Sequence, residues 1–276
     1  MSLIFLLAGL GASLSYGISD FVGGRASARL SIVQVLVIGE IFGAMLLWGL
    51  AGWYAEPLQL GSILLIAIGA GMVGAIGVAA LYHGLAQGYT AITAPVSAVL
   101  AAVLPILYGL QNDGLPSPLA VTGMAIGVIA IILNSLAGKT NGYQGLWQGL
   151  VAGVAFGTYF ILLKYVGTVE ETFAPLAFVR TAALIITVPW LLISPGGRPN
   201  RIGFMLAIVA GLFDVAATSL YVLATQTGRL DLASVLASLY PAVTVLLARF
   251  ISHEPISMLQ RVGLVATLIA TTLIAL

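Results

Sequence analysis

The chain has 276 residues, 61% of them hydrophobic and only 7% charged, with a formal net charge of +1. A soluble domain carries about 25% charged residues, so the composition excludes an ordinary soluble fold, and the lack of any basic stripe excludes a nucleic-acid partner. There is no cysteine, which removes disulfides, thiolate metal sites and cysteine nucleophiles.

Taken from the amino terminus, the apolar runs predict ten helices, near 3–23, 31–52, 60–86, 91–110, 117–137, 145–166, 174–193, 202–224, 230–251 and 257–276. The first run, MSLIFLLAGLGASLSYG, has no basic stretch ahead of it and stays apolar past any cleavage point, so it reads as a span and not as a signal peptide. From Pro57 to Asn112 there is no Asp, Glu, Lys or Arg. A bilayer span needs roughly 20 mostly apolar residues, and this stretch supplies them without a charged face. The breaks hold helix-stop residues: Gly23-Gly24, Glu56-Pro57, Gly88, Gly114 with Pro116 and Pro118, Gly138 to Gly142, Pro195 to Pro199, Gly228 and Glu254-Pro255. Pro95, Pro105, Pro189 and Pro241 fall inside spans and are expected to interrupt them, because proline removes a backbone donor. The fold class is therefore all-α: a polytopic membrane protein of ten transmembrane helices.

Two halves carry the same punctuation. Gly71 to Leu133 and Gly211 to Leu276 align at a shift of 140 residues, with Gly88 on Gly228, Ser117 on Ser257 and Gly123 on Gly263. Leu81-Tyr82 answers to Leu220-Tyr221 after a one-residue slip, and Ala8-Gly9 to Ala152-Gly153 at a shift of 144. The expected units are residues 1–137 and 145–276, five helices each. Five is odd, so the second unit enters the membrane from the other side and the repeats are inverted. Transporters of that architecture keep their site near mid-depth between the repeats.

Ionisable groups inside or near spans are costly in a bilayer, so each faces protein or water and is a candidate for function. Asp20, Glu40, His83, Lys164, Arg180 and Asp214 form that set for coupling or gating. Asp214 shares a helical face with Thr218 and Tyr221, has no cation on its own helix, and is expected to sit as a neutral carboxyl. Asp20 lies one turn from Tyr16 but near a helix end, where the water interface also serves it. Glu40 and Arg180 occupy repeat-equivalent positions near mid-span and pair if their helices approach; Asp20 and Lys164, matched at a shift of 144, lie toward opposite faces and should not meet. Tyr16, Tyr82, Tyr159, Asp214, Tyr221, Ser234, Ser238 and Tyr240 are the candidates for a substrate cavity, since a mid-span hydroxyl needs a partner. His83 reads equally as a hydrogen-bonded packing residue.

The segment ASVLASLYPAVTVLLARFISHEPISMLQRVGLVATLIA from Ala233 resembles the close of an EamA domain: a Ser-rich helix with a proline, an apolar run, an acidic turn and a last helix opening with glycine. FAPLAFVRTAALIITVPWLL from Phe173, with its early Arg180, and SLSYGISDFVGGRAS from Ser13 resemble the family's second and first helices. His253-Glu254 stands where Gly-Glu is usual, Ala101 stands opposite Pro241, and Asp113-Gly114 replaces the acidic turn in the first half. The chain thus resembles ten-helix members of the drug/metabolite transporter superfamily over nearly its whole length. That resemblance implies a cavity lined by helices 1, 3, 4, 6, 8 and 9.

The expected function is a secondary transporter, in the exporting sense, of small metabolites or amphipathic compounds such as amino acids. It would work by alternating access in a bacterial-type inner membrane, with the substrate gradient or protons as the energy source. No nucleotide-binding motif, cofactor site, metal site or catalytic residue is expected, and the oligomeric state is open. A lipid or lipid-linked phosphate flippase is the alternative, with Lys164 or Arg180 for the headgroup. An intramembrane enzyme is disfavoured because His83 and His253 are far apart in sequence. Orientation draws two opposed expectations. Basic residues gather in the loops after odd-numbered helices, among them Arg25, Arg29, Arg198 and Arg201, which puts both termini outside the cytoplasm; the resemblance implies cytoplasmic termini. Single cysteines at Ser2 and Gly197 decide between them. On the charge argument an impermeant thiol reagent modifies the Ser2 site in intact cells and spares the Gly197 site.

Overall fold

The computed structural model describes residues 2–58, 61–87, 89–135, 144–167, 171–253 and 255–276, without the side chains at 82, 85, 86, 90 and 91. Its helices are α1 (Leu3–Ser27), α2 (Ile32–Trp53), α3 (Ser62–Ala86), α4 (Thr90–Asp113), α5 (Pro118–Ser135), α6 (Leu146–Leu163), α7 (Phe173–Ile193), α8 (Arg201–Thr227), α9 (Leu230–Ser238), α10 (Tyr240–Ile251) and α11 (Met258–Ala275). Ten spans are long and apolar enough to cross a membrane, α9 and α10 together forming the ninth. Large apolar side chains such as Leu7, Leu65, Ile185 and Leu268 point outward, as a lipid-facing surface requires.

Local chemistry sets the ends. Ser31 with Gln34 and Ser257 with Gln260 form capping boxes that satisfy the first backbone donors of α2 and α11. Asn200 accepts from Gly203 N at 2.7 Å to open α8. The Glu56 carboxylate caps α7 from another loop, accepting from Thr172, Phe173 and Ala174 N–H groups at 3.2, 3.2 and 2.7 Å. A carboxylate at a helix N-terminus also meets the positive end of the dipole.

The expected effect of proline needs correction. Pro95 and Pro105 stay inside a continuous α4, and Pro189 inside a continuous α7. Only Pro241 coincides with a break, between α9 and α10, where Leu239 N bonds to Leu236 O and the helix restarts at Tyr240. Neighbouring helices tolerate the freed carbonyls of the other three.

Packing follows one exchange rule, helix n for helix n plus five. α1 lies along α8 as α6 lies along α3; α4 packs on α6 as the ninth span packs on α1; α2 meets α8 as α7 meets α3; α5 meets α11, and α2 meets α7. The close contacts fix the register. A Cβ on Gly9 would come to 2.9 Å from Leu236, and one on Gly149 to 2.9 Å from Val96. Gly17 faces the Tyr240 carbonyl and Gly157 the Leu100 carbonyl; Gly211 lies against Gly39 and Gly71 against the Val179 carbonyl; Gly123 faces Ile274 and Gly263 faces Asn134. Every one of these pairs of contacts is related by a shift of 140. The Gly123–Gly263 match therefore holds, while Gly88 lies outside the described residues.

The 144-residue shift for the first helix is corrected to 140, so Gly9 answers to Gly149 and Asp20 to Phe160. The four-residue difference is about one helical turn. It preserves the face, and the evenly spaced Gly149, Gly153 and Gly157 made both registers look alike.

At Gly71 and Gly211 the atom in the way is backbone, which cannot yield. Gly71→Ala and Gly211→Ala are expected to cost about 1–3 kcal/mol each, the usual range for overpacking. Gly69→Ala, whose added methyl meets nothing within 4 Å, should be neutral or stabilising. Thermal unfolding of the three variants in nanodiscs checks this; equal losses at Gly69 and Gly71 would contradict the packing account.

Candidate functional site

A cavity of about 570 Å³ lies between the repeats. Its walls include the later parts of α1 and α3, the first halves of α2, α4 and α8, the end of α5, and the start of α10. All of these portions lie toward the face opposite the termini, so the cavity runs from mid-depth to that face. Phe156, Tyr159 and Phe160 of α6, and Val179 and Arg180 of α7, complete the walls at mid-depth. The resemblance led to helices 1, 3, 4, 6, 8 and 9; the structure adds α2, α7 and the end of α5.

A guanidinium stands at the centre. Arg180 is buried, and its Nη1 pairs with Glu40 Oε1 at 3.3 Å and, more closely still, with Asp214 Oδ2. Its Nη2 donates to Thr218 Oγ1 at 2.7 Å and to the Asp214 carbonyl at 3.3 Å. Tyr16 Oη shares a 3.3 Å hydrogen bond with the same Thr218 hydroxyl. Glu40 comes from the first repeat and Asp214 from the second, so Arg180 ties the two together. The crossings position these groups: Gly39 on Gly211 brings Glu40 beside α8, and Gly71 on Val179 brings Arg180 beside α3. Glu40 Oε2 is buried and has no hydrogen-bond partner among the described residues.

Asp214 was expected as a lone neutral carboxyl, and that is corrected. Its own helix carries no nearby cation, but α7 delivers Arg180 across the interface. The pairing of Glu40 with Arg180 is present as expected. Asp20 also lines the cavity, on the α1 wall. Lys164 lies elsewhere, paired with Asp113 at 3.4 Å, and does not meet Asp20.

Four of the eight cavity candidates, Tyr16, Tyr159, Asp214 and Tyr240, line the walls. Tyr16 stacks edge-on with Phe160 at 6.1 Å and lies 6.1 Å from Tyr240, so one flank is aromatic. Tyr221, Ser234 and Ser238 are buried in the core and are not on the walls. Tyr221 Oη donates to Phe160 O at 3.1 Å and shares a 2.8 Å bond with Ser234 Oγ, which joins α8 to α6 and α9. The Tyr82 side chain lies outside the described residues. His83 is exposed, within 2.9 Å of Gln87 Nε2, and off the cavity. Sequence reasoning missed Ser19, Ser97, Asn134 and Thr244 on the walls. Each is a small polar side chain on a largely apolar helix, a weak signal without the partner helix. Among the described residues no three His, Cys, Asp or Glu side chains gather as metal ligands would.

Residues 144–276 match the family model described as the EamA-like transporter family. A solved crystal structure described only as that of a protein superposes with a TM-score of 0.82, covering 99% of this chain and 98% of its own at 14% identity. The second half of the chain matches the EamA-like transporter family, and the whole chain shares its ten-span fold with that solved structure. No curated protein matches the chain. The ten spans form two inverted five-helix sets, and the structural match at 14% identity extends over both, whereas the family model covers only the second.

Breaking one side of a buried ion pair leaves an uncompensated charge, at a cost of about 3–5 kcal/mol. Arg180→Gln is expected to lower stability by that order, whereas Arg180→Gln with Glu40→Gln and Asp214→Asn together should recover most of the loss. Thermal unfolding in nanodiscs checks the pair; an Arg180→Gln variant as stable as the parent would contradict the cluster's structural role.

Proposed function

We propose that the chain is a secondary transporter that moves small solutes by alternating access, with the cavity as its solute site. The observation that carries this reading is a single one: a half-depth cavity between inverted repeats, closed at one face and holding an ion cluster shared by both repeats. Residues 1–137 and 145–276 act as the two rocking units in this reading. Rocking them closes the open face and opens the other.

The wall chemistry narrows the solute. Asp20, Glu40 and Asp214 line the cavity against Arg180 alone, so carboxyl groups outnumber the guanidinium. Carboxyl groups facing such a cavity favour a cationic partner. The favoured solutes are amphipathic compounds with a protonated amine, amino acids included, with Tyr16, Phe160 and Tyr240 offering aromatic faces to the cation. Protons compete for the same carboxylates, which makes proton-driven export the natural coupling. A bacterial-type inner membrane is the setting in this reading. The lipid-phosphate alternative is weaker: Lys164 and Arg180, its two candidate cations, are both already paired with carboxylates.

Counterflow in proteoliposomes tests the reading. Protonated amines and amino acids are expected to exchange and matched organic anions are not. Asp214→Asn keeps shape and hydrogen bonding but removes titration. It should reduce flux driven by a pH gradient by about tenfold or more, the scale of one lost charge-assisted contact, while solute exchange persists. Equal flux of amines and anions, or unchanged pH dependence in Asp214→Asn, would move coupling away from this site.

A further inference from the structure

The face that carries the termini is held shut by charge. Arg229, in the turn before α9, donates from Nε to Asp231 Oδ1 at 3.1 Å and from Nη2 to Asp231 Oδ2 at 2.8 Å. The same guanidinium reaches the end of α4, donating to Asp113 O at 2.8 Å and, in a shorter contact, to Gly114 O. Lys164, at the end of α6, pairs with the Asp113 carboxylate at 3.4 Å. Asp231 is fully buried and stands over Gly109 of α4, where an added Cβ would come to 2.8 Å from its own Cβ. The first repeat's α4 is thereby tied to the second repeat's α6 and α9. The hydrogen bond to the Asp231 carboxylate holds the Arg229 guanidinium protonated more firmly than an ordinary arginine.

The 140-residue register says what the other face has to offer. Arg229, Asp231, Asp113 and Lys164 answer to Tyr89, Ala91, His253 and Gly24. Those four residues cannot rebuild the network when the opposite face closes. On that face α4 and α10 stand apart, with Ala94, Ala98, Thr244 and Val245 on the cavity walls. Two states of an inverted-repeat protein are nearly equal in energy only if both closures make equal contacts. The observed closure has a charged network that the register-equivalent residues of the other face do not supply.

We propose that Arg229, Asp231, Asp113 and Lys164 form a one-sided latch, which makes the state open toward the face opposite the termini the resting state of the transporter. The proposal rests on the alternating-access reading. It adds which state is favoured and which residues set the bias. The transported solute has to offset the latch for the terminal face to open.

The chain has no cysteine, so single cysteines report each face cleanly. Ile106 is buried in α4 beneath the latch, and Val245 lies on the cavity wall. In full-length protein in nanodiscs, a hydrophilic maleimide should label Val245→Cys quickly and Ile106→Cys slowly. Arg229→Ala is expected to raise the Ile106→Cys rate by about 10- to 100-fold, the scale of lost charged hydrogen bonds, with the Val245→Cys rate equal or lower. Lys164→Gln removes only the partly exposed outer pair and should raise the Ile106→Cys rate less, by about two- to fivefold. An unchanged Ile106→Cys rate in both variants overturns the latch, as does a parallel rise at both sites, which would mean general loosening. If Arg229→Ala fails to fold, Lys164→Gln decides: a rise at Ile106→Cys alone supports the latch and no rise overturns it. Labelling needs no solute. A labelling shift without solute flux would therefore sink the transport reading and leave the latch, and flux without a shift would do the reverse.

Discussion

Apolar helices in lipid gain nothing by leaving one apolar surface for another, so backbone fit decides which helices touch. In this chain the decisive fits are Gly211 on Gly39 and Gly71 on Val179, a related pair of crossings between the repeats. The residue after Gly39 is Glu40, and the residue after Val179 is Arg180. The approach that packs the repeats is therefore the approach that joins the charges. Asp214 lies three residues beyond Gly211, on the same face of α8, and completes the cluster. Architecture and chemistry depend on the same few glycines.

The pseudo-symmetry is exact in register but not in charge. Glu40 answers to Arg180 and Asp214 to Gly74, so one cluster is shared by the two repeats and not duplicated. Tyr159 packs against Gly74 in the space that an acid would need. At the ends the same asymmetry recurs, since the charged network around Arg229 has uncharged or small counterparts across the axis. An inverted repeat supplies two related states; the side chains that break the symmetry decide which state is filled and what enters the cavity. The break at Leu239, between α9 and α10, adds a third asymmetry, because α4 is continuous through its equivalent position.

Ten spans, their order and the inverted pairing were legible because span length, glycine and proline punctuation and the 140-residue shift are linear features of the chain. Glu40 with Arg180 was legible for the same reason: the register set them opposite each other. Asp214 was misjudged because its partner comes from another helix, and inspection of one helix cannot show that Arg180 crosses to it. A mid-span hydroxyl must bond to something, which points Tyr221 and Ser234 to a cavity; the structure shows that they bond to each other, Tyr221 also to Phe160 O and Ser234 to Leu230 O. Periodicity gives a polar face but does not say whether a helix or a cavity covers it. The latch was overlooked because Arg229, Asp231 and Asp113 fall at helix ends, where charges are ordinary.

Distances across both faces test the account most directly. Spin labels at Gln87 and Phe250 bracket the open face, and labels at Leu115 and Tyr165 bracket the closed one. Double electron–electron resonance in nanodiscs, with and without the solute that gives the strongest counterflow, reads both. The account predicts reciprocal change: as the Gln87–Phe250 distance shortens, the Leu115–Tyr165 distance lengthens. Distances that stay fixed while solute is carried, or that lengthen together, would contradict two rocking repeats about one cavity.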